Sequence, residues 1–398
     1  MPNISEDIDL KFRLDAGDLA QLIAPESGWR LSLFLPLEKS SHEAKVGSIL
    51  LRDLKREAEK RMDERLIGPA ERENLLAPIE ALLHGADARI YHGEGLALYA
   101  SESYCKTVML SEPPAPMVEV DRNFRLDALH GKLRGKDRFH LLCLSLHDIQ
   151  LWEGDGVSMK RIPLEGLETD IRAALDFEDS DSQVQFHTNS SAPSRNKSKG
   201  QGSSFFGVGS SNHDRKREFL DFFRIIGRGI AAKLTDKDIP LLLAGVEYLM
   251  PIYREANTHS RLSALQVPGA THATGPIGEL HGKVSALLRE ESHREILAAL
   301  SEYRESIATE RTVSGFTDVV PCAYYKKLTH LFIRKGSRQW GSFSPKDGRT
   351  DILDGYRPGA EDLVNLACVR TLMGHGKVYV VEDGEMPTGS GIAGLCLT

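Results

Sequence analysis

Hydrophobic positions along the chain recur with two periods, and each change of period marks an element. Residues 29–37 (WRLSLFLPL) read as a strand ended by Pro36. Over 42–66 the apolar residues Val46, Ile49, Leu50, Leu54, Ala58 and Met62 recur at helical spacing, which predicts a charged amphipathic helix. A second helix is predicted over 69–83, then short strands over 95–100 and 106–110. The prolines within 112–117 close this α+β unit near residue 120, because successive prolines continue neither a helix nor a central strand.

A second unit is predicted from 121 to 275. It opens on the apolar run 139–146 (FHLLCLSL), a buried strand, followed by strands over 148–153 and 157–163 joined at Gly154-Asp155-Gly156. An acidic, partly helical stretch over 164–181 leads into residues 187–217, which carry neither period. Beyond them Phe219, Phe222, Phe223, Ile226 and Ile230 mark one face of a helix over 218–234. A strand over 239–246 has the continuous apolar density of a parallel sheet. Strands alternating with helices imply an α/β layer structure.

The third unit, 276–398, opens on a long helix over 278–311, with Leu280, Val284, Leu287, Leu288, Ile296, Leu297, Leu300 and Ile307 on its apolar side. A strand over 329–334, a helix over 359–373 and strands over 377–381 and 391–397 follow, the pattern of a small α/β/α sandwich. The fold class expected is therefore multidomain, α/β and α+β, with three domains.

Composition narrows the function classes. The chain has 398 residues, 41% hydrophobic and 27% charged, and a net charge of −7, so a general affinity for polyanions is not expected and nucleic-acid contact must come from a local basic patch. Its five cysteines are scattered and read as reduced core residues of a cytosolic protein. The longest apolar run, 239–253, is too short for a membrane span and carries Glu247. A cytoplasmic protein without membrane contact is expected.

Enzyme signatures are few. Gly374-His375-Gly376-Lys377 lacks the spacing and hydroxyl of a phosphate loop and reads as a turn between helix and strand. No HExxH, H-x-H or GxSxG occurs, so no metal and no cofactor are expected. Asp148, Glu153 and Asp155 are more simply turn and strand-edge carboxylates than a two-metal cluster. Lys55, Arg56, Lys60 and Arg61 form a basic helical stripe, but Glu57, Glu59 and Glu64 interleave, which reads as a solvated face.

The aperiodic stretch 187–217 stands apart. Its single acid, Asp214, faces Arg195, Lys197, Lys199, Arg215, Lys216 and Arg217, which suit RNA phosphates. At its middle lies Lys199-Gly200-Gln201-Gly202. Glycines permit close backbone approach to a reacting centre, and the glutamine offers a neutral amide and a backbone N–H for a developing oxyanion. Neither is a base, so such a tip would position water where the substrate supplies its own hydroxyl, as the terminal ribose of a tRNA ester does. The bland alternative is a solvated loop without chemistry.

Three segments resemble the bacterial branch of the archaeo-eukaryotic class-1 release factor and Pelota superfamily. They are 121–155 (DRNFRLDALHGKLRGKDRFHLLCLSLHDIQLWEGD), Gly200-Gln201 on its basic arm with the helix over 214–234, and 362–397 (DLVNLACVRTLMGHGKVYVVEDGEMPTGSGIAGLCL). The resemblance implies an RNase H-like middle domain and a C-terminal domain like kink-turn RNA-binding ribosomal proteins. It also implies binding to the ribosome and peptidyl-tRNA, with Gly200 and Gln201 brought to the ester for hydrolysis, and it leaves a translational GTPase open as a further partner. Two departures count: Lys199 stands where the family has the first glycine of Gly-Gly-Gln, and the N-terminal domain shows no TASNIKS-like stop-codon reader. Rescue of stalled ribosomes is thus expected rather than codon-directed termination. A non-catalytic ribosome- or tRNA-binding factor and a nuclease of the tRNA acceptor end are the alternatives.

Overall fold

A computed structural model describes residues 16–24, 28–40, 43–85, 93–126, 129, 138–174, 208–234, 236, 239–269 and 277–397. In chain order the elements are α1 (Ala16–Ile23), β1 (Arg30–Ser40), β2 (Glu43–Val46), α2 (Ser48–Glu64), α3 (Pro69–Gly85), β3 (Gly95–Ala100), β4 (Cys105–Leu110), β5 (Met117–Asp121), β6 (Phe139–Leu144), β7 (Gln150–Gly154) and β8 (Met159–Ile162). Then come α4 (Ile171–Ala174), α5 (Val208–Lys233), β9 (Leu241–Gly245), α6 (Leu249–Ala256), β10 (Leu262–Pro268), α7 (Ile277–Ser306), β11 (Thr312–Ser314) and α8 (Phe316–Tyr324). The last are β12 (Leu328–Arg334), β13 (Trp340–Ser344), β14 (Arg349–Leu353), β15 (Glu361–Asp362), α9 (Leu363–Met373), β16 (Lys377–Val381) and β17 (Ile392–Cys396). This is a multidomain α/β chain with several sheets, as its periodicity predicts. It divides into two compact units: residues 139–153 with 161–283, and the remainder.

In the larger unit β1 runs at the centre of an antiparallel sheet, β2–β1–β3–β4, with β5 also on β1. Alternation along β1 sends Leu31, Leu33, Leu35 and Leu37 to the α2/α3 face and Phe34 to the other. The strand β5 follows the prolines directly and returns to β1, a pairing the proline signal hides. At α2 the sequence reading shifts by part of a turn. The first predicted residues pair as β2, the helix starts at Ser48, and its buried face is Leu51, Leu54, Ala58 and Met62, while Ile49 is 74% exposed.

The second sheet of this unit, β11–β17–β12–β16, is covered on both faces. Ile296, Leu300 and Tyr303 of α7 pack on Phe332, Tyr379 and Leu395, while Val319 and Val320 of α8 with Val364 and Ala367 of α9 cover Leu331, Ile333, Val378 and Ile392. Leu297 and Ile307, predicted on the apolar side of α7, are exposed. The helix α8 and the small sheet β14–β13–β15 escape the sequence reading because neither carries a long periodic run. The Gly374–Lys377 stretch is the turn predicted between α9 and β16, and a Cβ at Gly376 would lie 2.5 Å from the Leu328 carbonyl.

Buried charges knit distant parts of this unit. Glu119, 3% exposed, forms ion pairs with Arg61 at 3.0 Å and Arg65 at 3.5 Å, and accepts a hydrogen bond from Arg338. Arg125 pairs with Asp362 at 3.0 Å, and the same carboxylate caps α9 by accepting from the Val364 N–H at 3.0 Å. Asn365 then clasps the chain: its amide donates to the Phe124 carbonyl at 2.9 Å, and its oxygen accepts from the Leu126 N–H at 3.2 Å. Around the arginines stand Trp29, Trp340 and Tyr356, with Arg65 4.3 Å over Tyr356 and Arg122 4.0 Å over Trp29. The basic stripe of α2 is largely paired, Lys55 to Glu80 at 2.9 Å and Arg56 to Asp53 at 3.0 Å.

The smaller unit is built on the sheet β10–β9–β6–β7–β8, in which β6, β9 and β10 run parallel. Its core holds Leu142 and Leu144 of β6, Leu241 and Leu243 of β9, and the inward faces of α5 and α6.

Candidate nucleic-acid interface

The basic stretch 187–217 has a helical root. Periodicity starts this helix at 218 and the family resemblance at 214, yet α5 begins at Val208. The difference has a physical cause. Once Phe219 and Phe223 anchor the helix, each further N-terminal residue costs only propagation, and the Arg and Lys of Asp214-Arg215-Lys216-Arg217 propagate well. Arg195, Lys197, Lys199, Gly200 and Gln201 lie outside the described residues.

The root is held by an aromatic cluster. Phe219, Phe222, Phe223, Ile226 and Ile230 are all buried along one face of α5. The ring of Phe223, fully buried, meets Tyr253 of α6 edge-on at 5.5 Å and Phe222 at 5.8 Å. Each such side chain contributes about 1.5–3 kcal/mol of apolar burial, with roughly 0.5–1.5 kcal/mol more for an aromatic pair. Burial also pushes the Tyr253 hydroxyl above its ordinary pKa, so it stays neutral.

This anchoring gives α5 a definite place on the sheet. Phe219 contacts Tyr248, just beyond the carboxyl end of β9, with ring centroids 6.3 Å apart. The basic turn Arg215, Lys216 and Arg217 lies one helical turn before Phe219, and all three are exposed. Lys216 pairs with Glu255 of α6 at 2.8 Å, but both ends are about half exposed, so the pair is screened and worth little. The parallel strands β6 and β9 end side by side at Leu144 and Gly245. Gly245 has φ +123°, and a Cβ there would stand 2.0 Å from the Leu144 carbonyl, so this close approach requires glycine. The carboxyl edge of a parallel sheet is where α/β proteins commonly place ligands. Here that edge and the cationic root adjoin.

Of the carboxylates weighed for metal chemistry, Asp155 serves the backbone and Asp148 meets two side chains. Asp155 is buried and accepts from the Val157 N–H at 2.8 Å and the Ser158 N–H at 2.9 Å, closing the hairpin between β7 and β8. Asp148 accepts from the Gln150 amide and pairs with Arg161 at 3.5 Å. Among the described residues no group of three or more His, Cys, Asp or Glu is arranged to hold a metal ion. Nor is any described helix long and apolar enough to cross a membrane.

Tyr248, half exposed at the edge of the root, was missed by sequence reasoning. Its only signal was an aromatic residue just past a parallel strand.

Residues 139–290 match the family model described as Bacterial archaeo-eukaryotic release factor family 7. That segment encloses residues 187–217 and the helix α5. No curated protein is similar enough to match the chain. Among solved structures, the archaeal translation termination factor aRF1 is 14% identical, with 96% of this chain and 95% of that one covered, at a TM-score of 0.23. A model of ribosome-bound archaeal Pelota and ABCE1 is 11% identical over 97% and 95%, at 0.39. Dom34 of S. cerevisiae, described as a translation termination-like factor interacting with Hbs1, is 11% identical over 80% and 76%, at 0.33.

Proposed function

We propose, from the match of residues 139–290 to the bacterial archaeo-eukaryotic release factor family 7, that the chain is a translation factor of the archaeo-eukaryotic class-1 release factor superfamily that rescues stalled ribosomes by hydrolysing the peptidyl-tRNA ester. The observation that carries this reading is the position of Gly200 and Gln201 inside the family-matched segment, on an arm whose root is anchored and cationic. In the proposal Arg195, Lys197, Lys199, Arg215, Lys216 and Arg217 neutralise RNA phosphates, which sets the arm in the peptidyl-transferase region. Gln201 then orients water towards the ester carbonyl, and the terminal ribose hydroxyl relays the proton. Positioning and oxyanion stabilisation supply the rate, since the tip holds no base.

The domain reading follows the same line. An RNase H-like middle domain is supported by the strand order β8–β7–β6–β9–β10 with β6, β9 and β10 parallel. A C-terminal domain like kink-turn RNA-binding ribosomal proteins is supported by the sheet β11–β17–β12–β16 with helices on both faces. A translational GTPase belongs to the proposal as a partner, and the cytoplasm as the compartment.

The test is peptide release from stalled ribosome–peptidyl-tRNA complexes, comparing wild type, Gln201→Ala and no factor. Release that is lost in Gln201→Ala while the variant still co-sediments with ribosomes supports the assignment. Binding without release by wild type would replace it with the occluding, non-catalytic reading. Shortened tRNA 3′ ends would point to a nuclease instead, although Asp155, committed to backbone amides, gives that chemistry little to work with.

A further inference from the structure

Two thiols meet at the edge of the C-terminal sheet. Cys322 lies in the last turns of α8, and Cys396 ends β17. Backbone bonds hold them together. The Lys327 N–H donates to the Cys322 carbonyl at 2.8 Å, and the Leu397 N–H donates to the Lys327 carbonyl at 2.8 Å. Cys396 itself stands opposite Leu328 in the antiparallel ladder between β12 and β17, and its N–H donates to the Arg311 carbonyl at 2.8 Å. The outcome is a hydrogen bond between the two side chains. Both cysteines are half-buried, with apolar core on one side and solvent access on the other. The remaining thiols differ: Cys143 and Cys368 are buried in separate cores, and Cys105 is exposed on β4. The expectation of five core cysteines therefore holds only for Cys143 and Cys368.

We propose that Cys322 and Cys396 form a redox-active dithiol, a modification site at which a hydroperoxide makes an intramolecular disulfide between α8 and β17. The roles of the two sulfurs follow from their surroundings. Burial, together with the neighbouring thiol, pushes Cys396 up to about 11, so it remains protonated near neutral pH. In the proposal Cys322, half-buried near the end of α8, is the sulfur that meets the oxidant. Its thiolate attacks the O–O bond, one oxygen stays on sulfur as a sulfenic acid, and the other leaves as hydroxide and is protonated to water. Cys396 then attacks that sulfur, its proton joins the departing hydroxyl to give a second water, and the S–S bond forms. Two electrons pass from the two sulfurs to one peroxide. Lys327 and Arg311, whose charges favour the Cys396 thiolate, assist the second step. The bond closes the chain from 322 to 396 and restricts the unfolded state, so oxidation raises the unfolding midpoint. A thiol reductant reverses it.

The experiment treats the full chain with a stoichiometric amount of hydrogen peroxide, blocks remaining thiols with an alkylating reagent, and reads intact mass and peptide map. The expected result is loss of the mass of two hydrogen atoms, a linked peptide pair containing Cys322 and Cys396, and restoration by reductant. Cys322→Ser and Cys396→Ser each lose the link, whereas Cys105→Ser keeps it. Full alkylation of both cysteines after peroxide, stable sulfinic acid on either, or a link made through Cys105 would each overturn the proposal. The wild-type peptide map decides the matter even where a serine variant folds poorly.

Discussion

Replacing Glu361 with Gln should stabilise the protein at alkaline pH and do little at acid pH. Glu361 lies in β15 beside Asp121 and Asp362, in the buried charge network of the larger unit. Burial first, and then the charge of Asp121, push its carboxyl up to about 7. A carboxyl whose folded pKa is raised is better protonated when folded. It therefore subtracts stability as pH rises from its unfolded value near 4.5 through its folded value, and the full deficit is present above about pH 8. The displacement of roughly 2.5 units, at 1.36 kcal/mol each, corresponds to about 3 kcal/mol. At pH 5 the folded group is already protonated, and the remaining deficit is about 1 kcal/mol or less. Glutamine imitates the protonated form without the penalty. The assay is urea unfolding followed by intrinsic fluorescence at pH 5 and pH 8, since Trp29 and Trp340 flank the arginines of this network. The expected gain is about 3 kcal/mol at pH 8 and about 1 kcal/mol at pH 5. An equal gain at both values would mean that packing, not ionisation, is responsible, and no gain at pH 8 would refute the reasoning.

Other consequences are as direct. Asp121, pushed up to about 6 mainly by burial, predicts the same sign for Asp121→Asn at pH 8, reduced because the amide oxygen accepts more weakly from the Arg122 N–H than a carboxylate does, and the same titration reads it. Phe223→Ala removes the anchor of the α5 root and should cost about 3–5 kcal/mol, seen as a lower urea midpoint for the smaller unit. Converting Arg215, Lys216 and Arg217 together to Ala should flatten the salt dependence of RNA binding by roughly 2 in log–log slope while circular dichroism stays unchanged; an unaltered slope would remove the helical root from the interface. Arg125→Met strands the buried Asp362 carboxylate with a single arginine at 3.7 Å and should destabilise by about 3–5 kcal/mol, whereas exposed Arg56→Met should change stability by less than about 1 kcal/mol.

Much of the local structure was legible because period and burial are local quantities. WRLSLFLPL alternates, and its leucines do line one face of β1 while Phe34 lines the other. FHLLCLSL has few polar breaks, and all of β6 is buried between parallel and hairpin partners. The face of α5 was readable for the same reason: five bulky residues at helical spacing leave a helix one way to lie on a sheet. The basic residues Arg215, Lys216 and Arg217 were likewise visible as composition, and all three are exposed on α5.

What the tertiary structure alone decided are the relations between residues far apart in the chain. Glu119, Arg61, Arg65 and Arg338 are ordinary charges in the sequence; only folding removes water from them and makes their pairing obligatory. The raised carboxyls of Asp121 and Glu361 arise from that same desolvation, which no spacing rule encodes. The thiols of Cys322 and Cys396, scattered in sequence, become partners because β17 is the chain's return to β12 beside α8. Periodicity states which side of an element avoids water, and it is silent on which other element will cover that side.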